Sequence, residues 1–76
     1  MTIAVIARTR DPHRQSEALR AALGLTLRGA RVVVCVAEPL LTPLAERAAA
    51  TLRSFGHRVA VPIEEALTAD VVEVWT

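Results

Sequence analysis

The sequence predicts an α/β fold with a mostly parallel four-stranded sheet flanked by helices, built as one three-layer domain over residues 1–76. Three observations lead there. Two short runs, Ile3-Ala4-Val5-Ile6-Ala7 and Val32-Val33-Val34-Cys35-Val36, have no polar position on either face, as befits strands inside a parallel sheet covered by helices. An amphipathic helical stretch lies between them, which makes a βαβ unit of ordinary length from Met1 to Glu38. The remainder continues the alternation as helix, strand, short turn and strand, and right-handed crossovers then place the strands parallel.

In chain order, Ile3–Ala7 is predicted as an interior strand. It runs into the polar loop Arg8-Thr9-Arg10-Asp11-Pro12-His13-Arg14, where Pro12 stops the strand and Asp11 or Ser16 can cap the next helix by accepting a backbone N–H bond. The helix is expected over Ser16–Arg28. Ala18, Leu19, Ala22, Leu23, Thr26 and Leu27 recur on one face, while Glu17, Arg20, Ala21 and Arg28 lie away from it. Leu25 falls off that stripe and is a candidate subunit contact. Gly29 ends the helix because it tolerates the left-handed backbone that follows a helix C-terminus.

Arg31–Ala37 is the second strand, β-branched and central or nearly so. Thr42-Pro43 supplies an N-cap and a first-turn proline for a helix over residues 43–55, with Leu44, Ala48, Thr51, Leu52 and Phe55 as its expected buried stripe up to Gly56. Ala45, Ala49 and Ala50 add helix propensity. Arg58–Val61 reads as a short third strand ended by Pro62, Ile63–Thr68 as a helical turn, and Val71–Trp75 as a last strand whose lone Glu73 indicates an edge or one exposed face.

Composition narrows the function classes. A domain of 76 residues hides only about 60% of the surface of its unfolded chain, and its hydrophobic fraction of 53% exceeds the usual value for soluble domains, so a homo-oligomer is expected. Leu25, Leu40, Leu41 and Trp75 are the candidate contact residues. No apolar run reaches membrane-spanning length and the N-terminus lacks the features of a secretory signal, so no membrane association and a cytoplasmic location are expected. A net charge of +1 with only Phe55 and Trp75 as aromatics gives no footprint for nucleic acid. Charge is split unevenly: residues 1–38 hold six Arg and three acids, residues 39–76 three Arg and five acids. Every basic residue is Arg.

In a parallel sheet, ligands bind beyond the carboxyl ends of the strands. The loops that gather there carry Arg8, Arg10, His13 and Arg14 after the first strand, Glu38 after the second and Glu64 after the third, a candidate small-ligand or anion site. The same charges also fit ion pairs within the domain or between subunits. The first loop has no glycine, which excludes both the dinucleotide G-x-G-x-x-G and the phosphate-loop motif, although free N–H groups at the start of the first helix can take a small anion. Cys35 lies inside a valine run, where it packs as a core residue and not as a reactive thiol. His13, His57 and Cys35 form no metal-ligand set, so no metal, no cofactor and no catalytic residue is assigned.

From Ala18-Leu19-Arg20-Ala21-Ala22-Leu23-Gly24-Leu25-Thr26-Leu27-Arg28-Gly29 into Ala30-Arg31-Val32-Val33-Val34, the chain resembles the DsrE/DsrF family of small sulfur-relay proteins. The closing Ala69-Asp70-Val71-Val72-Glu73-Val74-Trp75 is similar to that family's final strand. The resemblance implies a three-layer fold of DsrE-like or flavodoxin-like type, assembly with copies of itself or with other sulfur-relay subunits, and a link to persulfide transfer by a cysteine. That cysteine sits in a later loop of the active subunits, and Val36–Thr76 contains none. What the resemblance implies for this chain is therefore a subunit that lacks the carrier thiol and acts by assembly. The alternative is a ligand- or anion-binding module, or a minor enzyme, that uses the first loop.

Overall fold

The computed structural model describes all 76 residues. Strands β1 (Thr2–Ala7), β2 (Arg31–Val36), β3 (Arg58–Val59) and β4 (Val71–Trp75) alternate with helices α1 (Pro12–Thr26), α2 (Pro43–Ser54) and α3 (Ile63–Ala66). All strand pairs are parallel, and the sheet order is β3-β2-β1-β4. Both apolar runs are interior strands, with β1 between β2 and β4 and β2 between β3 and β1. Two cores result, one on each face. Val5, Ala7, Val32, Val34 and Val36 pack under α1 and α2, while Ala4, Ile6, Val33 and Cys35 pack with Val61 and Ala66 on the α3 side. No helix is long and apolar enough to cross a membrane.

Helix α1 begins four residues before the expected Ser16 and ends at Thr26, not Arg28. Asp11 is its N-cap, accepting from the His13 N–H at 2.9 Å and the Arg14 N–H at 3.2 Å. Pro12 fills the first helical position, where its missing N–H costs nothing. Beyond Thr26 the chain turns, and Gly29 at φ +79° ends the turn. Leu27 swings out with it to 89% exposure, whereas Leu25 packs against the core, so the expected places of these two leucines are exchanged.

Helix α2 is capped as predicted, with the Thr42 hydroxyl accepting from the Ala45 N–H at 3.0 Å. Its buried stripe differs. Of the expected residues Leu52 is buried and Ala48 packs against the core, but Ala45 and Ala49 complete the buried face, while Leu44 and Phe55 are 62% and 70% exposed and Thr51 is exposed too. The helix is thus turned by about one residue, roughly 100°, from the orientation its larger apolar residues predict. The Thr42 hydroxyl also hydrogen-bonds the Ser16 hydroxyl at 2.7 Å, which ties the start of α2 to α1. The small residues Ala45 and Ala49 then meet the sheet and let the helix settle close beside α1.

Strand β3 covers only Arg58–Val59, because Ala60 adopts a left-handed backbone at φ 65° and breaks the ladder before Val61 rejoins β2 through Val34 O at 3.1 Å. Strand β4 matches its predicted span and forms an edge. Its register places Val71, Glu73 and Trp75 beside Ile3, Val5 and Ala7 on the α1/α2 face, and Val72 and Val74 beside Ala4 and Ile6 on the other. Trp75, expected as an exposed anchor, is partly buried and packs against the core under α1 and α2.

Candidate functional site

The carboxyl ends of the strands, where a parallel sheet presents its loops, are reached after Ala7, Val36, Val59 and Trp75. The strands are added in one sense from β1 to β3 and β4 is added on the other side of β1, so the crevice at this topological switch point opens beside Arg8 and the end of β4. Arg8, Arg10, His13 and Arg14 are exposed around it. The structure does not join them to the acidic residues expected opposite. Glu38 lies 3.9 Å from Arg53 of α2, and Glu64 sits on α3 at the other face without an ion pair. The ion pairs that form are Arg58 to Glu65 at 2.9 Å and the Glu38–Arg53 contact, and the His13 Nε2 lies 3.9 Å from Glu17. Exposed pairs of this kind contribute little.

The start of α1 is also less open to an anion than the loop sequence implies. Asp11 occupies the His13 and Arg14 N–H groups with its carboxylate and the Gln15 N–H with its carbonyl at 3.0 Å. A carboxylate already in that position repels a second anion.

Cys35 is 5% exposed and surrounded by Ala4, Ile6, Val33, Val61 and Ala66. No group of three or more His, Cys, Asp or Glu is placed to hold a metal ion. His57 accepts the Val32 N–H at its Nδ1, 3.1 Å away, and so completes the sheet ladder at a point β3 has not yet reached. That bond is structural. Gln15, 1% exposed, accepts the Leu41 N–H at 2.8 Å and anchors the loop before α2. Leu40 packs on the core and Leu41 is 39% exposed, so the structure separates two residues expected to share a contact.

Two surfaces remain as candidates for recognition. The first is the outer edge of β4, whose backbone is unpaired and whose Val71, Val72 and Val74 are 40%, 36% and 65% exposed. The second is a groove of about 650 Å³ between α1 and α2, with Leu23, Leu44 and Ala48 among its lining and Arg20 and Arg47 on opposite walls. Sequence periodicity placed Leu23, Leu44 and Ala48 in the core; Leu23 and Ala48 do pack against it while their outer sides line the groove, and Leu44 is 62% exposed.

Compared with family models, with curated proteins and with solved structures, the chain matches none of them.

Proposed function

We propose that this chain is a non-catalytic, cytoplasmic assembly or accessory subunit of DsrE-like type, which works by joining its open sheet edge to another copy of itself or to a related sulfur-relay subunit. The observation that carries this reading is β4. Its five residues leave three valines exposed, with Glu73 as the single charge, and no strand lies on its outer side. Natural edges are usually blunted by lysine, proline, a bulge or a cover, and an open edge of this composition is a template for strand addition. The packing of Cys35 in the core, at 5% exposure, fits a role that uses no exposed thiol.

Two-fold antiparallel pairing centred on Val74 sets each Val74 beside its own copy and keeps the two Glu73 carboxylates from facing each other. Sedimentation at micromolar concentration is the test. A dimer or larger species is expected, and Val74→Lys should yield folded monomer. A wild-type monomer of 8.2 kDa under those conditions would sink the proposal.

The reading as a ligand- or anion-binding module has less support. Asp11 engages the N–H groups an anion would use, and Glu38 and Glu64 lie on opposite faces of the sheet.

A further inference from the structure

The groove between α1 and α2 plays no part in edge pairing, yet its composition is not that of ordinary solvated surface. Leu23, Leu44 and Ala48 give it an apolar lining, and Leu44 is 62% exposed. A guanidinium stands on each wall, Arg20 on α1 and Arg47 on α2, and neither has an ion-pair partner. The one carboxylate in the lining, Glu17, lies 3.9 Å from the His13 Nε2. The groove is therefore apolar in the middle and positive on balance, with the Arg20 and Arg47 guanidinium groups set against the single Glu17 carboxylate.

A second copy fits this badly. Two-fold contact through the groove lays one arginine-walled channel on another and brings like charges together, which disfavours association. An uncharged apolar segment would leave both guanidinium groups covered and unpaired, also unfavourable. The complementary shape is a helix, since α1 and α2 run parallel and the stretch from Pro12 to Leu23 spans about 16 Å, or three turns. A helix laid antiparallel to both opposes its dipole to theirs and brings its own negative C-terminal end to the end at which α1 and α2 begin.

We propose that this groove docks an amphipathic helix of a partner protein, apolar on the face that enters and carrying carboxylates along both flanks to meet Arg20 and Arg47. The inference rests on the reading of this chain as an assembly subunit and names a second contact, separate from β4.

The experiment uses two stapled helical peptides of about 14 residues with the same leucine face, one flanked by glutamates and the other by lysines. Each is titrated into the full ¹⁵N-labelled chain and into the folded double variant Arg20→Glu/Arg47→Glu. The glutamate peptide should move the amide signals of Leu23, Leu44 and Ala48 in the wild type and bind at least about tenfold more tightly than the lysine peptide, with the order reversed in the variant. Absence of binding by either peptide overturns the proposal, as does equal binding of both. If the double substitution instead breaks up a wild-type oligomer with no peptide present, a second copy fills the groove and the proposal is wrong. The edge reading is separated by Val74→Lys, which should abolish self-association and leave peptide binding intact. A monomeric wild type that still binds the glutamate peptide removes the edge reading alone, and an oligomer without groove binding removes this one alone.

Discussion

Asp11 and His57 each satisfy backbone groups that secondary structure leaves open. Asp11 takes the first donors of α1, and His57 takes the Val32 N–H where β2 has no strand beside it. Asp11→Ala should cost about 1 kcal/mol, the usual value of a lost N-cap. His57→Ala should cost about 1–3 kcal/mol because it strands a partly buried donor. For a domain of this size, each kcal/mol lowers the melting temperature by about 4–8 °C, so a thermal scan reads both. Ala60 offers the opposite change: its φ of 65° strains any residue with a Cβ, and Ala60→Gly should be neutral or stabilising by up to about 1 kcal/mol despite the greater chain entropy of glycine. Cys35 should react with a thiol reagent far more slowly in the native chain than after unfolding. Fast native labelling would reopen sulfur transfer as an activity.

At the scale of elements, the rotation of α2 is the feature with most consequence. Ala45 and Ala49 are buried beside Leu52, while Leu44 faces the groove and Phe55 is exposed, so two of the helix's three largest apolar side chains lie outside the core. Leu52→Ala should cost about 2–4 kcal/mol, as for a buried leucine, whereas Leu44→Ala and Phe55→Ser should each stay within about 0.5 kcal/mol. Urea titration of the three variants checks the orientation directly. Equal losses at Leu44 and Leu52 would restore the stripe that periodicity alone predicts.

The whole molecule is a sheet with unequal cover. Two long helices lie over one face, a helix of four residues lies on the other, and β4 stands at the rim with its valines exposed. Trp75 closes part of the better-covered face. Trp75→Ala should accordingly act first on stability, by about 2–4 kcal/mol in denaturant unfolding, and not on association. Loss of oligomer mass without loss of stability in that variant would return Trp75 to the interface. The dominance of arginine over short α/β elements leaves a surface in which Arg20 and Arg47 stay unpaired while Arg53 and Arg58 find carboxylates.

Several features were legible in the residues alone because they depend on local rules. Strands apolar on both faces had to lie inside a parallel sheet, Gly29 had to take a left-handed backbone after the first helix, Thr42-Pro43 had to start a helix, and a cysteine among valines had to be buried. The parallel architecture follows from those elements in that order. The carboxyl-edge ligand cluster was only half legible: chain order puts Arg8, Arg10, Glu38 and Glu64 in loops at one end of the sheet, but it does not say which face each loop crosses or which helix lies within reach of an arginine. The rotation of α2 was only half legible, since Leu44-Ala48-Thr51-Leu52-Phe55 and Ala45-Ala48-Ala49-Leu52 are both consistent helical stripes that share Ala48 and Leu52. Side-chain hydrophobicity favours the first. Tertiary packing selects the second, because the Ser16–Thr42 hydrogen bond ties the start of α2 to α1 and Ala45, Ala49 and Leu52 are then the residues that turn inward.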